Sequence, residues 1–401
     1  MATAGGAAPM CMSREFRLFC LALRRPLHPT DSAALRDGLA AGPDWDCILA
    51  GARRHRVAPL LLAGLHAVRS PDLPAESVAE LRREAVAAAR RSLAQTAEIA
   101  RLVRIFSEAG IPVLALKGIV LSAQLYGDPA LRDPRDIDLL VDPQQFDAAG
   151  ALLIEAGYRR NAPILSPRQS AAYQRWIKEA EYVHPVTGIW VELHHRLSDN
   201  PALIPCKFTE LWPEREEVEI ASIVVATLPR RHLPVYLCVH GAHHCWERLR
   251  WLVDLAAALQ EPGAMEAAIA AAEAEGLGPP MLHALVLAHD WLGLPVDEPC
   301  LARARVDRRV AHLHRVLTHF YAGPAWYQTP RRGSFAGFLR YSLWLRLYNY
   351  SLKRDWRYRR HQALRELITP ADWEVVRLPD RLFWLFPLLR PIGWLVRRWR
   401  G

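Results

Sequence analysis

The sequence predicts an α+β protein: a mixed sheet of about four to six strands, flanked by helical N- and C-terminal regions. Three observations predict it. A long stretch rich in Ala, Leu, Glu and Arg ends near residue 110. Short apolar runs, several alternating with a period of two, are confined to residues 111–228. Ala-rich helical runs then continue from Arg230 to Phe320, broken by Gly and Pro. The chain divides accordingly into a helical region 1–110, a core 111–228, a helical domain 229–325 and a basic, aromatic region 326–401.

Ala75 to Ala109 is the clearest helix, with Pro74 before it and Gly110 and Pro112 after it, the usual start and stop punctuation. Val113 to Leu116 is a short strand of the buried type. Gly118 follows it, then a helix from Ile119 to Tyr126. A loop rich in Pro and charge leads to a second strand, Asp136 to Val141. Asp142-Pro143 has the pattern of an N-cap with Pro at the first helical position, predicting a helix from there to Gly157. Ala180 to His184 and Ile189 to His194 face each other across Pro185-Val186-Thr187-Gly188 as a hairpin, and Val218 to Leu228 offers another strand pair. In the last helical domain the breaks fall at Pro262-Gly263, Gly276 to Pro280 and Gly293 to Pro295.

With 401 residues, 51% of them apolar and 23% charged, the chain is of ordinary globular composition. Its formal charge of +9 favours anionic partners: nucleotides, nucleic acid or an anionic membrane surface. Seven cysteines without a C-x-x-C pair argue against a disulfide framework and for reduced thiols, hence a cytoplasmic protein. The most apolar tract, Leu382 to Leu389, is broken by Pro387 and far shorter than the roughly 20 residues a bilayer span requires.

The chemistry concentrates in Asp136-Ile137-Asp138-Leu139-Leu140-Val141. Alternation along a strand puts Asp136 and Asp138 on one face and Ile137, Leu139 and Val141 on the other. Two carboxylates two strand steps apart, roughly 6.5–7 Å, suit a pair of divalent ions in phosphoryl transfer. A D-x-D alone is more often a plain edge strand with two solvated acids. The hairpin strand supplies a third acid, Glu192, on the same face as Trp190 and His194. Leu116-Lys117-Gly118 is a strand end running into a helix, where backbone amides and the helix N-terminus favour phosphate. Arg132 and Arg135 lie in the loop before the acids.

This arrangement resembles the polymerase-β-like nucleotidyltransferase superfamily, and more closely the uncharacterised nucleotidyltransferase family NTP_transf_5. The matching stretches are Leu114 to Gly118, Leu125-Tyr126 with Arg132, Asp136 to Val141, Val191 to His194, and His240 to Leu249 followed by Trp251 and Asp254. The resemblance covers roughly residues 45 to 300. It implies the minimal nucleotidyltransferase sheet, with Asp136, Asp138 and Glu192 as ligands of Mg²⁺ or Mn²⁺. It also implies Gly118 as the phosphate-loop glycine. The superfamily's loop usually reads Gly-Ser or Gly-Gly; here Lys117 stands as the substitute. The donor it implies is an NTP, with ATP the first expectation. The acceptor is left open among a small molecule, a peptide and a protein side chain.

His240 and His244 are spaced i, i+4 on a helix, a metal-ligand spacing that lacks an acid or third ligand. Two readings come before a metal: the helix packs beside the cleft, where a His or Arg248 contacts nucleotide or acceptor, or it is simply fixed into the core by Trp246, Leu249 and Leu252. Lys117, Gly118, Arg132, His194, His244 and Arg248 are the expected nucleotide-binding residues. Trp384, Trp394 and Trp399 with Arg390, Arg397, Arg398 and Arg400 suit either a docked helix or weak contact with an anionic membrane. Two other classes remain alongside the enzyme: a non-catalytic nucleotide-binding protein, and a basic membrane-surface or nucleic-acid-binding protein, which needs no D-x-D.

Overall fold

A computed structural model describes residues 12–162, 166–328, 335–368, 373, 378–386, 388–389, 392–393 and 396. Seven strands form one open mixed sheet: β1 (Val113–Ala115), β2 (Asp136–Val141), β3 (Arg159–Asn161), β4 (Glu179–Val183), β5 (Trp190–His194), β6 (Glu216–Ile220) and β7 (Ile223–Thr227). Their order is β3-β4-β5-β2-β1-β7-β6. The pairs β2–β5 and β1–β7 are parallel and the others antiparallel.

Seven strands exceed the four to six expected. The unforeseen one is β3, Arg159-Arg160-Asn161, which has no apolar residue and is exposed throughout. It forms because β4 offers an open edge for it to pair with. The hairpin β4–β5 turns where expected, with Gly188 at φ 68°, a left-handed conformation that favours glycine.

One helix reading needs correction, and one helix was not foreseen. The helix expected from Asp142-Pro143 begins only at Phe146 and runs to Glu155. Asp142 caps a turn: its Oδ1 accepts from the Gln144 amide at 2.8 Å and its carbonyl from the Gln145 amide at 2.9 Å. Pro167–Trp176 is a helix that the apolar pattern does not reveal, although Ser166 and Gln169 form a capping box at its start.

One face of the sheet is apolar. Ile137, Leu139, Val141, Val191 and Leu193 pack there with Ile99, Leu102 and Phe106 of the long helix Ala75–Glu108. A second, larger core joins helices from both ends of the chain. The Phe16 ring lies 5.2 Å from Trp291 and 5.4 Å from Trp326. The helix Leu233–His243 belongs to this second core, and it faces the acidic side of the sheet.

Candidate active site

The register of β2 against β5 sets Asp138 beside Glu192 and Asp136 beside Trp190. Side chains alternate, so Asp136, Asp138, Glu192 and His194 share the face opposite the apolar one. One ligand atom each of Asp138, Glu192 and His194 lies within 4.8 Å of the others. Asp138 is buried. Its Oδ1 is 2.8 Å from Lys117 Nζ and 3.2 Å from His194 Nε2. The His194 Nδ1 lies 3.2 Å from Glu179 Oε2 and 3.5 Å from Lys178 Nζ, and Lys178 is itself ion-paired with Glu179.

This crowding separates the two central carboxyls. Burial raises the Asp138 carboxyl, but Lys117 and His194 outweigh it and hold the group far below the usual carboxylate range. Burial, followed by the charges of Asp138 and Asp136, pushes Glu192 up to about 8 against the opposing pull of Lys117 and Lys178. At neutral pH the proton of the pair therefore sits on Glu192. Burial, then Lys178, depresses the His194 ring, which is neutral. A neutral ring donating from Nε2 to Asp138 leaves Nδ1 to accept from Lys178.

Above this group opens a cleft of about 320 Å³, lined by Lys117, Arg135, Asp136, Lys178, Glu179 and Glu192 on the sheet side. His240, His243, His244, Arg248, Arg250 and Trp251 line its other wall. The arginines are unusual. Arg56, Arg135 and Arg248 have no hydrogen-bonded or ion-paired side-chain partner among the described residues. Arg250 donates from Nη1 to the Asp133 carbonyl at 3.0 Å, and its Nε is buried without a partner. Burial, then Arg248 and Arg135, lowers Arg56 to about 10; burial, then Arg132, lowers Arg250 to about 9. Arg135, Arg248 and Arg250 thus crowd their charges in the cleft wall, and Arg56, which does not line the cleft, adds its charge beside Arg248 and Arg135.

A family model described as an uncharacterised nucleotidyltransferase matches residues 41–293. The chain belongs to this family. No curated protein matches it. The matched span takes in the sheet, the cleft and the helix Trp45–His55, which ends at Arg56 with φ 55°.

Not every residue anticipated for this nucleotidyltransferase site reaches the cleft. Asp136, Glu192, Lys117, His244 and Arg248 line it. Asp138 and His194 lie beneath its floor, 2% and 1% exposed. Gly118 sits at φ 69° and opens the helix Gly118–Tyr126. Arg132 is buried behind it. It bonds the Asp254 carboxylate from Nε at 3.0 Å and Nη2 at 2.9 Å, and the Gly118 carbonyl from Nη1 at 3.1 Å. Tyr126 donates to the other oxygen of Asp254 at 2.8 Å. Arg132 therefore fixes the glycine turn from inside. Lys178, Glu179, Arg56 and Arg250 were not anticipated; a lysine next to the hairpin in so lysine-poor a chain was the one available signal.

The three histidines flank the cleft without forming a metal cluster. Among the described residues Asp138, Glu192 and His194 are the one group of ligating side chains close enough for an ion. Burial depresses the rings of His240 and His244 well below the ordinary histidine value and His243 to about 4, so all three are neutral. A divalent cation fits the group Asp138, Glu192 and His194, whose ligand atoms lie within 4.8 Å of one another, with the Glu192 carboxyl raised by burial and then by the charge of Asp138.

Proposed function

We propose that the protein transfers a nucleoside monophosphate, AMP from ATP, to an acceptor hydroxyl, with Asp136, Asp138 and Glu192 holding Mg²⁺ or Mn²⁺. The observation that carries this reading is the parallel register of β2 and β5, which sets Glu192 beside Asp138 and next to Asp136 at the base of one cleft. Bound divalent ions would neutralise the polyphosphate and lower the pKa of the attacking hydroxyl. The protein's own groups do the rest. Lys117 and His194 keep Asp138 ionised and aimed. Arg56, Arg135, Arg248 and Arg250, lacking counter-ions, grip the β- and γ-phosphates with the help of the helix N-terminus at Gly118. The acceptor oxygen bonds the α-phosphorus as the α–β bridging bond breaks, releasing pyrophosphate and a proton. Positioning on this frame supplies much of the acceleration.

One observation favours a second reading. The Lys117 ammonium already contacts Asp138, as it would in a nucleotide-binding protein that does no chemistry. A single experiment separates the two. The protein is incubated with Mg²⁺, cell extract and ATP labelled at the α-phosphate, and pyrophosphate release and labelled acceptor are measured. Transfer is expected in the wild type. Glu192→Gln should retain ATP binding, read as a shift in Tm, and lose transfer; Asp138→Asn should lose both. Arg248→Ala should weaken ATP about tenfold and leave AMP little changed, the cost of roughly one charge-assisted contact. Label arriving from the γ-phosphate would make the protein a kinase. Binding that survives Asp136→Asn with Asp138→Asn would place the nucleotide elsewhere.

A further inference from the structure

The positive charge of this chain is not spread along it. Residues 335–401 hold 14 Lys and Arg against 5 Asp and Glu, a surplus equal to the whole formal charge of +9. The 334 residues before them hold 37 of each sign. The same segment contains six of the 14 tryptophans. Trp394, Trp399, Arg390, Arg397, Arg398 and Arg400 lie outside the described residues; the helices before them are described.

The helix Phe335–Leu352 has two unlike faces. One buries Tyr341, Tyr348 and Leu352 and packs on the helices Arg308–Tyr321 and Leu233–His243. The other presents Leu339, Leu343 and Leu347, 45%, 54% and 39% exposed. Spaced four apart, they form one stripe. At about 100° per residue, Arg346 falls roughly 20° to one side of that stripe and Arg340 roughly 20° to the other. Trp356, 63% exposed, opens the next helix, Trp356–Ile368, which carries the exposed Arg357, Arg359 and Arg360. An apolar stripe edged by arginines is the pattern of a helix lying in a membrane interface. No helix of the described residues is long and apolar enough to cross a bilayer.

We infer that this face docks on an anionic lipid surface. The leucines and Trp356 enter the boundary of the acyl chains while Arg340 and the arginines after Trp356 meet lipid phosphates; Arg346 is paired with Glu366 at 3.6 Å. Charge complementarity selects this occupant. A second copy would bring two surpluses of positive charge together. A nucleic acid would satisfy the arginines but leave three leucines in water, since its apolar contacts are made by stacking on aromatic rings. The inference does not depend on nucleotidyl transfer.

The test is flotation of the full-length protein with vesicles of phosphatidylcholine alone or with about one-third phosphatidylglycerol. The protein should float with the anionic vesicles only and be released by about 1 M salt, where the screening length falls to roughly 3 Å. Replacing Leu339, Leu343 and Leu347 together by Ser should lower partitioning about a hundredfold, because three half-exposed side chains lose their apolar phase. Arg340→Glu, which changes one exposed head group and leaves the stripe intact, should lower it at least about fivefold. Both variants should keep the circular dichroism of the wild type. Quenching of wild-type tryptophan by bromine-labelled acyl chains, in anionic vesicles only, checks the same contact without any substitution. The inference is overturned by equal binding to neutral vesicles, by no flotation, or by flotation that the leucine variant keeps. It is equally overturned if an oligonucleotide displaces the vesicles and binds the leucine variant unchanged, or if that variant abolishes a dimer.

Discussion

Replacing Asp254 by Ala tests whether the glycine turn is held from inside. Asp254 and Arg132 are 0% and 4% exposed. The carboxylate takes two bonds from the guanidinium and one from Tyr126, and Arg132 passes a further bond to the Gly118 carbonyl. Removing the acid leaves a buried guanidinium without its counter-charge and a buried phenol without its acceptor. Loss of one partner of a buried pair costs about 3–5 kcal/mol, most of it the desolvation of the charge left behind. The measurement is urea unfolding followed by tryptophan fluorescence, on Asp254→Ala, Arg132→Met and the double variant. The double variant should be less damaged than the sum of the two single ones, since it leaves no orphaned charge. A loss under about 1 kcal/mol in Asp254→Ala would mean that water reaches the guanidinium. Additive effects would mean that the two residues do not act on one another. Either result refutes the account of the turn.

Two further perturbations probe the frame of the cleft. A Cβ on Gly241 would lie 2.2 Å from Trp246 Cζ3 and 2.5 Å from Cε3, inside a rigid ring that is itself buried. Gly241→Ala should therefore destabilise by roughly 1–3 kcal/mol or more, and the penalty should shrink sharply in a Trp246→Leu background; an equal penalty in both backgrounds would remove the ring as its cause. Burial would raise the Asp199 carboxyl, but Arg365, Lys178 and His243 together hold it below its ordinary value. A depressed carboxyl stabilises the fold above its unfolded pKa, near 3.9, and that contribution disappears as pH falls through the folded value. The stability gap between wild type and Asp199→Asn should therefore be constant from about pH 5 upward and close below about pH 4. A gap that instead closes with rising pH would contradict the assignment.

The parts of the fold legible in the sequence were those carried by local pattern. Strand β2 has the expected bounds because Ile137, Leu139 and Val141 alternate with Asp136, Asp138 and Leu140. The hairpin β4–β5 follows from a turn that ends on Gly188. Strand β3 was not legible, since an exposed edge strand needs only a free neighbouring edge and no apolar signal. The helix after β2 was misplaced by three residues because Asp-Pro opens a turn as readily as a helix. In the site, residue types were legible and their partners were not. Tyr126, Arg132 and Asp254 stood out separately in the sequence, and only the fold shows that they meet. Arg56 is 80 residues from Asp136 in sequence; no spacing rule joins a helix of the N-terminal region to a strand of the sheet.

The cations of the site divide by type, and physical chemistry accounts for the division. Two of the chain's four lysines, Lys117 and Lys178, lie in the cleft, each against a carboxylate. A lysine is a compact point charge, suited to fixing one oxygen. Lys117 reaches Asp138 because β1 and β2 are antiparallel neighbours, so that the residue after Leu116 leaves β1 alongside the acid. The arginines at the Asp136 side are the opposite case. They are half-buried or exposed, lack side-chain counter-ions and repel one another. A planar fork with five donors matches phosphate oxygens in pairs, which an ammonium cannot do. Lys117, expected to substitute in the phosphate loop, lines the cleft and is fixed on Asp138 at 2.8 Å. On the proposed reading, polyphosphate would be held by arginines drawn from three separate segments of the chain.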